Sequence, residues 1–210
     1  SQEMIARAAS CPNPEKADAI FRMIVLGLHL PDGRETPRYL SRSEIMKMME
    51  LGRKAGNIAM RYIEIIRFQE LDSGALLAVI DPEADVLALI APHFSNRLPL
   101  ENWMIYDRRR KKAAIHSAGK GWFLVEEVDE RSVLEAGMSH EEARYGELWK
   151  CFFKTLTIEA RVNPKLQISL IPLKYRDFMK EFQNESLRED CEKCQNKETK
   201  QESEKQISQK

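Results

Sequence analysis

Several enzyme classes lack their minimal parts in this 210-residue chain, and each gap removes a function. There is no GxGxxG and no GxxxxGKS or GxxxxGKT segment, so neither glycine-rich turn that cradles nucleotide phosphates is present. HExxH and GxSxG are missing as well, which removes zinc-protease and serine-hydrolase chemistry, and so is the three-cysteine cluster motif of radical enzymes. The four cysteines, Cys11, Cys151, Cys191 and Cys194, are too few and too scattered for a disulfide scaffold, so a reducing cytoplasm is expected. Cys191-x-x-Cys194 has no second pair nearby, and neither a metal nor a cofactor is expected. The most apolar run, Ile20–Leu30, contains Arg22 and His29 and falls short of the roughly 18 residues of a membrane span. The first residues show no signal-peptide order, so no membrane association is expected. Basic and acidic residues balance at 33 each, which excludes a global basic coat; any anion site must be local.

What is present reads as one α+β domain at 13–182, between an N-terminal flank at 1–12 and a charged tail at 183–210. Asn13-Pro14 supplies a helix start, and Ala17, Ile20, Phe21, Ile24 and Leu28 then share one face. Turn residues fill His29–Leu40, and Ser41-Arg42-Ser43-Glu44 offers a capping box for a second helix with the face Ile45, Met48, Met49, Gly52, Ala55 and Ala59. Its small residues predict close packing against another element. Strand patterns follow at Tyr62–Glu70, Ala75–Asp81, Trp103–Tyr106, Ala113–His116 and Trp122–Glu127, which predicts an antiparallel meander of about five short strands. Between them a short helix capped by Asp85 is expected to end near Ile90, because Pro92 follows. A long helix from about Ser139, carrying Trp149, Phe152 and Phe153 toward the core, is expected to cover one sheet face and break before Pro164; another starts near Pro172. Beyond Phe182 there are no aromatics, and Leu187 and Ile207 alone stand for Ile, Leu and Val, so the tail is expected to be disordered.

Three segments carry chemistry. Arg108-Arg109-Arg110-Lys111-Lys112 places five cations on an expected hairpin tip, where they either contact successive phosphates without burying charge or simply form a solvated turn. In Ala91-Pro92-His93-Phe94-Ser95-Asn96-Arg97, His93 is the one candidate acid/base and Arg97 a bidentate phosphate ligand; the alternative has His93 capping backbone carbonyls. From Leu148 to Phe182, Lys150, Lys154, Arg161, Asn163, Lys165, Gln167, Tyr175 and Arg176 form a run of cationic, amide and phenolic groups beside aromatics, of the kind that holds phosphates. Arg161 serves equally well in an ion pair with Glu159 or Glu147, and Asn163-Pro164 as a helix stop.

The same segment closely resembles the C-terminal signature of a bacterial family of DNA metabolism or repair proteins built on a domain of unknown function. The matching residues are Glu147, Trp149-Lys150, Phe152-Phe153, Thr155-Leu156-Thr157-Ile158, Glu159-Ala160-Arg161-Val162-Asn163-Pro164-Lys165-Leu166-Gln167 and Pro172-Leu173-Lys174-Tyr175. LIAPHFSNRLP at Leu89–Pro99 and WMIYDRRR at Trp103–Arg110 form a second block, and a looser match extends the likeness over about Asn13–Phe182. Met60, Glu64 and Ile115-His116 depart from it, standing where the family has a His, a Gly and an aromatic pair. The family usually begins with a segment of Tyr-Asp-Gly-Ser character that is not seen here, so a native segment before Ser1 is expected. The resemblance implies a role in DNA metabolism and a partner that is a radical-SAM protein or a uracil-DNA glycosylase-like protein. The functional expectation is an accessory nucleic-acid-binding or adaptor protein, with DNA favoured, whose partner supplies the chemistry. Two alternatives stand beside it: an enzyme acting on nucleic acid or nucleotides with His93 as acid/base, and a protein-interaction module binding through its aromatics.

Overall fold

The computed structural model describes residues 2–134, 137–156, 163, 166, 169–176 and 179, apart from the side chains of Ser132, Leu134, Phe153, Lys154, Leu173 and Lys174. The proposed tail at 183–210 lies outside the described residues. Two compact units are present, Ser1–Ser139 and His140–Lys210.

The first unit opens with a helical layer: α1 (Gln2–Ser10), α2 (Lys16–His29), a 3-10 turn at Gly33–Arg38 and α3 (Ser43–Ile65). Residues of the expected flank thus form a helix, and Ala8 and Cys11 are buried in one cluster with Ala19, Met23, Ile45, Met48, Leu51 and Ala55. The small face of α3 explains the approach: a Cβ built on Gly52 would lie 3.6 Å from the Arg7 Cβ, so α1 sits over glycine where a larger side chain would hold it away. Asn13 anchors the start of α2 by accepting from the Glu15 N–H at 2.8 Å. The buried stripe of α2 is Ala19 and Met23, whereas Phe21, Ile24 and Leu28 are exposed. That helix is apolar nearly all round, so periodicity alone did not say which side faces α1 and α3. The expected capping box is not formed; α3 starts at Ser43 with Arg42 as N-cap, and the Ser43 hydroxyl turns to Glu44. Met49, assigned to the inner face, is exposed.

A five-stranded sheet completes this unit, in the order β1 (Gln69–Glu70), β2 (Leu76–Ile80), β3 (Trp103–Asp107), β4 (Lys112–Ser117), β5 (Gly121–Val125). It is mixed, not an antiparallel meander, because α4 (Leu87–Arg97) carries the chain back across the sheet and sets β3 parallel to β2. Tyr62–Ile65, read as strand, is the last turn of α3, where Tyr62 and Ile65 continue the stripe of Ala55 and Ala59. Pro92 does not end α4. It lies in the interior, on the exposed side, and Ala88, whose carbonyl loses its donor, is an exposed residue too. Phe94 and Phe68 meet edge to face at 5.2 Å, and both approach Trp103, which joins α4 to the sheet. After β5 comes α5 (Glu130–Leu134), whose Val133 packs with Leu77, Tyr106 and Ala113 on the other sheet face.

In the second unit, α6 (His140–Leu156) and α7 (Leu173–Arg176) are described. Contrary to the core assignment, Trp149 and Phe152 are exposed, at 44% and 54%, and their rings stack at 5.8 Å; Leu148 and Leu156 are exposed beside them. The side chain of Phe153 lies outside the described residues.

Candidate functional site

Because β2 and β3 are parallel, Ile80 and Asp107 end side by side, and ligands of sheets with parallel strands gather outside such carboxyl ends. The chain places its basic run there. Residues 108–111 turn from β3 into β4, tied to the neighbouring strand by the Arg108 N–H donating to the Ile80 carbonyl at 2.9 Å. Lys111 holds the left-handed conformation (φ 53°) that closes the turn. The Val128 N–H donates to the Lys111 carbonyl at 2.8 Å, so the segment after β5 buttresses the tip.

Within this run the five cations differ sharply. Arg110 is a clamp: its Nη1 donates to Asp107 Oδ2 and to the Pro82 carbonyl, both at 3.0 Å, and its Nη2 to the Glu83 carbonyl at 2.6 Å. The Asp107 side chain is 0% exposed, and its Oδ1 accepts the Arg110 backbone N–H at 3.2 Å. Burial pushes the Asp107 carboxyl above the ordinary range against the pull of Arg110. The tip therefore does bury a charge pair, contrary to the sequence expectation. Lys112 lies 2.9 Å from Glu126 and 3.8 Å from Asp85, and the hydrogen bond to Glu126 raises the lysine and lowers the carboxyl.

Arg108 and Arg109 are held differently. The Nε of Arg109 donates to Asp81 Oδ1 at 2.8 Å, which lowers the Asp81 carboxyl, and the Nε of Arg108 lies 2.9 Å from Glu130 Oε1. Neither side chain makes a further hydrogen bond among the described residues, so both terminal amino groups of each guanidinium remain open to another acceptor. About half of each side chain is exposed, and Lys111 between them and β4 makes no ion pair with a described residue. Asp81, Asp85, Asp107, Glu126 and Glu130 pair with four of these cations, and Glu83 adds a further negative charge near Arg109.

The other candidates are placed as follows. His93 and Arg97 are exposed on successive turns of α4, a helix rather than the loop implied by the proline. The His93 ring meets Phe94 edge to face at 5.1 Å and makes no hydrogen bond among the described residues, so it caps no carbonyl there. Lys150 pairs with Glu147 at 2.9 Å on α6. Asn163 Oδ1 accepts the Leu166 N–H at 3.1 Å, a local cap, and Tyr175 is buried. Arg176 Nε donates to the Ile171 carbonyl at 3.2 Å. Arg161, Lys165, Gln167 and the side chain of Lys154 lie outside the described residues, so the proposed meeting of Arg161 and Lys165 with the 108–112 run is not described either.

Sequence reasoning missed Asp107 and His116. The Asp107 signal was available, as an acid three residues before Arg110 at a strand end. His116 is 3% exposed, stacks flat on Trp103 at 5.0 Å and 4°, and its Nδ1 is 2.8 Å from the Glu101 carbonyl.

A family model described as a domain of unknown function (DUF4130) matches residues 14–181. The chain belongs to the DUF4130 family. No curated protein and no solved structure matches it. Both the 81–86 loop and the 107–112 turn of the candidate site fall within the DUF4130 match, as does the exposed face of α6. Among the described residues no group of His, Cys, Asp and Glu is arranged to hold a metal ion, and no helix is long and apolar enough to cross a membrane.

Proposed function

We propose that this DUF4130 protein is an accessory nucleic-acid-binding adaptor in DNA metabolism or repair, touching phosphates through Arg108, Arg109 and Lys111 while a partner enzyme supplies chemistry. The observation that carries this reading is that Arg108 and Arg109, each about half exposed, are held beside the carboxyl ends of β2 and β3 by one carboxylate at Nε, 2.9 Å from Glu130 and 2.8 Å from Asp81, and make no other hydrogen bond among the described residues. A guanidinium already oriented loses less side-chain entropy when it takes a phosphate, and its planar fork suits two oxygens at once. Acids interleaved with the cations of the turn keep the interaction local, as the absence of a global basic coat requires. The resemblance to DNA-metabolism proteins supports DNA as the nucleic acid and a radical-SAM or uracil-DNA glycosylase-like protein as the partner.

Fluorescence anisotropy with a labelled DNA duplex tests this. Arg108→Ala with Arg109→Ala should weaken binding and reduce the slope of log affinity against log salt by about 0.9 for each phosphate that is no longer neutralised. Absence of binding at low salt, or binding indifferent to salt, removes the proposal.

The exposure of Leu148, Trp149, Phe152 and Leu156 on α6 favours a second reading, a protein-interaction module, and is compatible with the adaptor role. The enzyme reading has no comparable support. Among the described residues His93 has no polar partner to set its tautomer, and Arg161, which would hold a phosphate with Arg97, lies outside them.

A further inference from the structure

The two edges of the sheet are treated differently. β1 is two residues long and is followed at once by the isolated bridge from Leu71 to Met138, so that edge is short and blunted. Among the described residues β5 has no such protection. It reads Gly121-Trp122-Phe123-Leu124-Val125, with no charge and no proline, and its backbone bonds only β4. Phe123 is 52% and Leu124 45% exposed. A five-residue apolar edge with one row of backbone groups unpaired is a template for another strand.

The residues around β5 say which strand fits. In an antiparallel pair about Phe123, Trp122 faces Leu124 of the second copy, the two Phe123 rings meet on the opposite face, and Gly121 faces Val125. Lys120, in the turn that opens β5, then falls opposite Glu126, directly after its end, and the two-fold axis repeats this pair. Glu126 is 71% exposed, so it can be reached despite its bond to Lys112. We propose that β5 is a self-association edge, through which two copies of this chain join their sheets into one of ten strands, in the register centred on Phe123. This goes beyond the nucleic-acid reading and does not depend on it.

Sedimentation velocity of the full chain tests the proposal. The mass should rise from 24.3 kDa toward twice that value as concentration increases over about 1 to 100 µM. Phe123→Lys, which sets like charges together at the axis of an exposed position, should abolish the dimer and with it the concentration dependence of the melting temperature, while a folded monomer remains. Lys120→Glu should weaken it about tenfold, by making both flanking pairs repulsive, and adding Glu126→Lys should restore it. A wild-type chain that stays monomeric throughout overturns the proposal and leaves the edge to a strand of another protein. A dimer equally strong in Phe123→Lys, or one that the charge exchange fails to restore, overturns it too.

Discussion

Removing the Arg110 side chain separates a part-buried, clamping arginine from its half-exposed neighbours. In Arg110→Ala, Asp107, whose side chain is 0% exposed, loses its ion pair, and the Pro82 and Glu83 carbonyls lose the guanidinium that donates to them. Breaking a buried pair by deleting one member costs about 3 to 5 kcal/mol, since the remaining charge is left without compensation. The lower end applies, for two reasons. Arg110 is itself 23% exposed, which screens part of the attraction, and an abandoned carboxyl can take up a proton. A loss of about 3 kcal/mol corresponds to a fall of roughly 6 to 12 °C in melting temperature for a chain of this size. Arg109→Ala, by contrast, removes an exposed pair with Asp81 and should cost less than about 1 kcal/mol.

The pH dependence has a definite sign. With the Arg110 side chain gone, desolvation and the nearby Asp85 charge act on Asp107 against only the backbone N–H of residue 110, and its folded-state value moves further up. A raised carboxyl binds its proton more tightly in the folded than in the unfolded chain. The contribution is therefore most favourable below the ordinary carboxylate pKa of about 4 and is lost as pH rises through the folded value. Arg110→Ala should lose less stability near pH 4 than near pH 7 in urea unfolding followed by fluorescence. Asp107→Asn, combined with it, should recover part of the neutral-pH loss, since no charge is then stranded. Equal melting temperatures for Arg110→Ala and Arg109→Ala at neutral pH, or a deficit independent of pH, would refute this reasoning.

Three further outcomes are expected. Gly33→Ala should cost about 1 to 3 kcal/mol in urea unfolding, because its Cβ would lie 2.9 Å from the Gly27 carbonyl oxygen, and backbone must shift to relieve the overlap. Asp81→Asn should flatten the acid limb of the stability curve slightly: its lowered carboxyl gives stability present above the unfolded value and lost as pH falls through the folded one, and differential scanning fluorimetry across pH would show it. His116→Phe should keep the buried stack on Trp103 and cost less in melting temperature than His116→Ala, which opens a cavity against the indole.

The fold was legible where one local signal decided it. Strands β2 to β5 stand where β-branched, aromatic and alternating residues fell between turn signals, and the small stripe on α3 correctly indicated close packing. Failure came where two signals competed. Tyr62–Ile65 carries β-forming residues, yet its Tyr62 and Ile65 continue the buried spacing of α3, and packing overrode propensity. Pro92 is a strong breaker in isolation, but its ring lies on an exposed side where a helix tolerates the missing bond. Once α4 is allowed its full length, a strand, a helix and a second strand follow in order, the crossover that the parallel pairing of β2 with β3 requires.

At the candidate site, the basic run was legible as composition but not as a set of distinct residues, because only tertiary partners tell its members apart. The acids that divide them come from four places: Asp81 and Asp85 from the loop after β2, Asp107 from the end of β3, Glu126 after β5 and Glu130 from α5. None but Asp107 is near in sequence, so a charge count along the chain sees five equivalent cations. Burial then assigns their work. Full burial of Asp107 draws Arg110 inward as a clamp, while Asp81 and Glu130, lying nearer solvent, fix their arginines by one nitrogen each and leave the rest of the guanidinium outside. Asp81 and Glu130 thus offset charge and restrain Arg109 and Arg108 at once, whereas Asp107, Asp85 and Glu126 hold Arg110 and Lys112.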